Sequence, residues 1–94
     1  MIRIVLPSQL DDYTDGQREL VLELPVPADR ALVLADVIDE LERRYRGVRF
    51  RVVDEQGGIR RHIAMFVGES MVRTLQAPVA ADDRVQIVGA LSGG

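Results

Sequence analysis

The 94-residue chain contains no cysteine, lysine, asparagine or tryptophan, and only one histidine. Without cysteine it has no disulfide framework, no thiolate nucleophile and no cysteine-zinc site. One histidine, His62, supplies too few ligands for a histidine-rich metal site. Without lysine, the N-terminus is the only primary amine. That excludes a Schiff-base lysine and conjugation of the chain through a lysine side chain. No apolar run approaches the roughly 18 residues of a membrane span. The opening MIRIVLPSQ lacks the basic-then-apolar order of a signal peptide, so the expectation is a soluble cytoplasmic protein with no membrane partner.

What is present is the make-up of a folded domain: 47% hydrophobic and 29% charged residues, against the low hydrophobicity of a disordered tail. The length suits one domain over residues 1–94. All 12 basic residues are arginine, and the net charge of −3 hides an asymmetry. Three arginines face ten acids in residues 1–42, whereas seven face two in residues 43–61. The basic stretch reads either as a footprint for an acidic partner or nucleic acid, or as a solvated helix end and loop. The acidic total and the sparse interleaving of Tyr45 and Phe50 favour the second reading, so nucleic acid is not the expected partner.

Periodicity divides the chain. Ile2, Ile4 and Leu6 alternate with Arg3 and Val5, a half-buried strand ended by Pro7. Residues 8–17 read as a polar loop, and Leu20, Leu22 and Leu24 form a second strand ending at Pro25, giving a wide-looped hairpin. Leu34, Val37, Ile38, Leu41 and Tyr45 lie on one helical stripe, so residues 34–46 are a helix with Gly47 as its stop. Val33 is a poor N-cap, and acids lead while arginines trail, as the helix dipole favours. Phe50, Val52 and Val53 suggest a short extended segment before Gly57-Gly58. Ile63, Met65 and Val67 form a stronger strand, a turn at 68–70 leads into a short strand at 71–73, and residues 74–84 form a loop. Val85, Ile87 and Val88 form the last strand. One main helix across a mixed sheet of four to five strands, with first and last strands parallel, is the α+β arrangement called a β-grasp.

No catalytic set emerges. His62 stands between two arginines and Ile63, with nothing tying it to Ser8, Ser70 or Ser92, and reads as a strand-edge side chain. Asp11, Asp12 and Asp15 lack calcium-loop spacing and read as a solvated loop. Gly57-Gly58 lacks a phosphate-loop motif. The remaining feature is the ending Gly93-Gly94: a thin strand that could enter a narrow tunnel and present the Gly94 carboxylate, or an untethered end.

Residues 85–94 (VQIVGALSGG) resemble the end of the ThiS/MoaD family, the prokaryotic ubiquitin-like sulfur carriers. Residues 37–47 (VIDELERRYRG), 61–69 (RHIAMFVGE) and 81–85 (ADDRV) resemble its helix, its strand-and-turn and its turn into the last strand. Residues 6–10 (LPSQL) and 14–17 (TDGQ) are similar to the CysO type of actinobacterial cysteine biosynthesis. Gly68 stands where the family often has asparagine, Asp83 where glycine is common, and Gly89 where proline is frequent.

The resemblance implies a carrier and not an enzyme, with no permanently bound cofactor. An E1-like enzyme would adenylate Gly94 using ATP and magnesium, and a sulfur donor would convert it to a thiocarboxylate. A cysteine synthase would take the sulfur, and a metalloprotease would regenerate the carrier. Leu91, Ser92 and Gly93 would be the tail the activating enzyme recognises, on a flexible arm at 89–94, which Gly89 would loosen further. Molybdopterin, thiazole and secondary-metabolite sulfur transfer use similar carriers, and a non-covalent β-grasp interaction module is the other reading. If Ile2, Ile4, Leu6, Ile63, Met65, Val67, Val85 and Ile87 face the helix, then Val5, Phe66 and Val88 share the opposite face. There they would be either a docking patch with Phe66 as anchor or ordinary surface apolar residues.

Overall fold

The alternation at the N-terminus produces β1 (Ile2–Val5) and β2 (Glu19–Leu22), paired antiparallel with Ile4 opposite Leu20. The computed structural model describes residues 1–89. The main helix is α2 (Leu34–Arg44), and β3 (Ile63–Val67), β4 (Ser70–Val72) and β5 (Arg84–Gly89) complete one five-stranded sheet. Its order is β2-β1-β5-β3-β4. β1 and β5 are parallel neighbours at the centre, with Ile4 beside Val85, and the expected β-grasp closure is present. β5 is also antiparallel to β3, placing Met65 opposite Ile87.

Period-two alternation sends Ile2, Ile4, Leu22, Met65, Val85 and Ile87 to one sheet face, all essentially buried. The helical stripe of α2 buries Leu34, Val37, Ile38 and Leu41 in the same cluster. Each such side chain adds about 1.5–3 kcal/mol by leaving water. Of the other residues expected to face the helix, Leu6 is buried, and Ile63 and Val67 pack half-buried at its margin. Among the described residues no helix is long and apolar enough to cross a membrane.

Three expectations about local structure need correction. Residues 8–17 are not simply a loop: a 3-10 turn (Ser8–Leu10) runs into α1 (Asp11–Thr14). Leu10 and Thr14, four apart, point inward, while Asp11 and Asp12 occupy the first turn, where the dipole favours acids. The buried Thr14 hydroxyl lies 3.2 Å from the Leu10 carbonyl and 2.9 Å from that of Gln17. The segment read as extended around Phe50 is α3 (Val48–Val52). Here again an i, i+4 pair is buried, Val48 with Val52, while Phe50 is 63% exposed. Only Val53 is extended, bridging to Ile59. Finally, α2 stops at Arg44, and Tyr45 is its half-buried C-cap.

Gly47 does not end α2 directly but turns the corner into α3. Its φ is +99°, and a Cβ there would meet the Tyr13 ring at 3.0 Å. Glu42 holds the corner: its carboxylate accepts the Gly47 N–H at 3.1 Å and the Arg49 N–H at 2.9 Å. Val33, with no polar side chain, is nonetheless the N-cap of α2, because Asp36 reaches back to accept the Val33 N–H at 2.9 Å. Gly68 has φ +61° in the β3–β4 turn, a left-handed conformation that asparagine also tolerates, so glycine can replace it there.

Candidate functional site

β5 lies at the centre of the sheet and leads toward the C-terminus, so the site begins at its end. Gly89, expected in the arm, is instead the last residue of β5 and pairs with Ile63. A Cβ on Gly89 would lie 2.7 Å from the side-chain nitrogen of Gln9, so a larger residue there would displace the end of that side chain. The exit of β5 is thus framed by the 3-10 turn on the β1 side and by the start of β3 on the other. Leu91, Ser92, Gly93 and Gly94 lie outside the described residues.

The three residues expected on the far sheet face do share it. Val5 and Phe66 are both in register with Gln86 on the central strand, one on each side. Val88, two residues beyond Gln86 and on the same side, is opposite Ala64 and 37% exposed. Val5 and Phe66 are half-buried. The row continues to Met71, which pairs with Phe66 and is 51% exposed. Sequence reading missed Met71 because its strand is three residues long, too short for alternation to declare a face. Gln86 receives the Arg84 guanidinium at 2.9 Å, so the apolar patch carries one polar group near its middle.

The electrostatics divide sharply. Asp11 is held below the usual carboxylate range by hydrogen bonds from Arg18, with Arg18 Nη2 2.7 Å from Asp11 Oδ2. Asp36 is lowered chiefly by a bidentate pair with Arg30 at 2.7 and 2.8 Å, then by the Val33 N–H. Glu42 is lowered by the backbone N–H of Arg49 and then that of Gly47. These groups shape the fold. His62 is exposed. Among the described residues no group of acids and histidine could hold a metal ion, and Asp11, Asp12 and Asp15 form no such cluster.

No family model matches the chain, and no curated protein matches it by sequence. Solved structures do. A chain of the Amycolatopsis orientalis BexX/CysO complex matches at TM-score 0.80 with 29% identity, covering 100% of both chains. CysO of Mycobacterium tuberculosis matches at TM-score 0.78 with 27% identity, covering 97% of this chain and 100% of that one. SAMP1 of Haloferax volcanii, at TM-score 0.74 and 22% identity over 99% of this chain and 98% of that one, shares the fold. Over essentially its full length the chain is similar in fold to the ubiquitin-like sulfur carriers of the ThiS/MoaD type.

Proposed function

We propose that the chain is a sulfur carrier whose working group is the Gly94 carboxylate. The observation that carries this reading is the match to the two CysO chains over essentially full length, at 29% and 27% identity. In that reading the carboxylate attacks the α-phosphate of ATP on an E1-like partner, and pyrophosphate leaves. A sulfur nucleophile then displaces AMP from the acyl-adenylate, leaving a thiocarboxylate. The magnesium and ATP belong to the partner. This chain contributes the carboxylate, the tail Leu91, Ser92 and Gly93, and a recognition surface.

Cysteine biosynthesis is the pathway we favour, because two of the matching structures, at 29% and 27% identity, are of CysO. There the thiocarboxylate sulfur would bond to the β-carbon of an activated serine derivative held by a cysteine synthase, the activating group on its oxygen leaving. A metalloprotease would then hydrolyse the adduct to release cysteine and restore the carrier. One neighbour is in a complex, BexX with CysO, which supports a protein partner here as well. The central patch of Val5, Phe66 and Val88 is the surface we assign to the activating enzyme.

Mass spectrometry tests the chemistry. Incubation with the cognate activating enzyme, ATP and sulfide is expected to add about 16 Da, one oxygen exchanged for sulfur at the terminal carboxyl. Removal of Gly94 is expected to abolish the shift. No shift on the intact chain, or an equal one after the deletion, rejects the proposal. Phe66→Ala is expected to slow adenylation, and an unchanged rate removes Phe66 as the anchor.

A further inference from the structure

Half of the arginines are spoken for: Arg3, Arg18, Arg30, Arg43, Arg44 and Arg49 each lie within 4 Å of an acid. A different arrangement occurs at the open end of the β3–β4 hairpin. A groove there has Ala64 and Met71 on one sheet face as apolar floor, with Ile63, Arg60, Arg61 and Arg73 also in its lining and no acid among them. Arg60 is held in place: its Nε donates to the Phe50 carbonyl at 2.7 Å, and its guanidinium carbon lies 4.8 Å from the Phe50 ring centroid. Arg61 and Arg73 are exposed and form no ion pair among the described residues.

Like charges gathered without a counter-charge repel and contribute nothing to stability. Such a cluster can meet anions from outside, and the planar guanidinium is suited to carboxylates held in a fork. The floor adds a second requirement. Met71 is 51% exposed on the same sheet face as half-buried Ala64, so the ligand needs apolar side chains as well as charge. Nucleic acid fits less well. The chain is acidic, with a pI near 5.0, and the floor offers no aromatic ring for bases to stack on.

We propose that this groove docks an acidic segment of a partner protein, with carboxylates on Arg60, Arg61 and Arg73 and an apolar side chain against Ala64 and Met71. Its position gives the docking a purpose. Ile63 pairs with Gly89 and Ala64 with Val88, so the docked segment lies beside the end of β5. The proposal does not depend on sulfur chemistry and extends the recognition surface beyond Phe66.

The test is an amide-shift NMR titration of the whole chain with three probes. They are a synthetic peptide of repeated Glu-Leu-Glu-Glu units, the same peptide with glutamine for glutamate, and oligothymidine. The acidic peptide is expected to shift the amides of Ile63, Ala64, Met71 and Arg73, and to bind about tenfold more weakly once R61E and R73E are combined. The milder pair R61Q and R73Q is expected to give an intermediate loss, with an unchanged melting temperature showing that both variants fold. Silence of the groove amides with the acidic peptide overturns the proposal. So do equal shifts from the glutamine control, or tighter binding of oligothymidine at the same amides.

Discussion

Two regions of this small domain use one residue type in opposite ways. Around α1, α2 and the corner into α3, arginines are matched to acids: Arg18 to Asp11, Arg30 to Asp36, Arg43 and Arg44 to Glu40, Arg49 to Asp39. Around the open end of β3 and β4, Arg60, Arg61 and Arg73 form no ion pair with an acid among the described residues. The run of seven arginines that is a single block in sequence is thus cut in two by the fold. In its first part Arg43 and Arg44 pair with Glu40 and Arg49 with Asp39, and its last part, Arg60 and Arg61, lines the groove together with Arg73 just beyond β4. The net charge of a segment cannot show this division, because matching depends on which side chains the helix turn and the sheet bring together.

If that contrast is right, substitutions on the matched side change stability and substitutions in the groove do not. The largest effect is expected beneath the matched helix. Leu41→Ala empties fully buried space in the core and should cost about 2–5 kcal/mol in urea unfolding. At the corner, Gly47→Ala forces a side chain into a left-handed conformation and against the Tyr13 ring. A loss of about 1–2 kcal/mol is expected. Glu42→Gln keeps the shape but weakens the acceptor for the Gly47 and Arg49 N–H groups, and about 1 kcal/mol is expected by analogy with lost caps.

The same acids set a pH dependence. The carboxyls of Asp36 and Glu42 lie below their ordinary values, Asp36 first through Arg30 and Glu42 first through the Arg49 N–H. A lowered carboxyl adds stability that is complete above the unfolded-state value, about 4, and is lost as pH falls through the lower folded-state value. The urea midpoint should therefore be level from pH 7 to about 5 and fall below that, less steeply in Glu42→Gln. The smallest effect is expected in the groove: Arg61→Ala and Arg73→Ala should each leave unfolding within about 0.5 kcal/mol of the parent. A clear loss of stability in either would merge the two regions and erase the contrast.

The elements legible in the sequence were those long enough to show their period. β1, β2, β3 and α2 each display at least two repeats of an apolar face, and the parallel β1–β5 closure follows from their order. α1 and α3 were not legible. In four or five residues an i, i+4 pair such as Leu10 with Thr14, or Val48 with Val52, looks the same as chance. Exposed Phe50 added to the confusion, since an aromatic residue beside valines mimics a strand. The far-face trio of Val5, Phe66 and Val88 was readable because alternation fixes faces once strands are known. The groove was not, because it joins residues 60–64 to 71–73 through a hairpin register that composition does not encode. Gly89 was read from its type as loose, whereas its ladder partner Ile63 keeps it in the sheet.

The central place of β5 also has a mechanical meaning. A force that draws the start of β1 and the end of β5 apart acts along two parallel neighbours, so it must shear their whole ladder at once instead of unzipping it bond by bond. On its other side β5 is clamped to β3 through five residue pairs from Ile63–Gly89 to Val67–Val85. Tension between Ile2 and Gly89 therefore loads the ladders on both sides of β5 together.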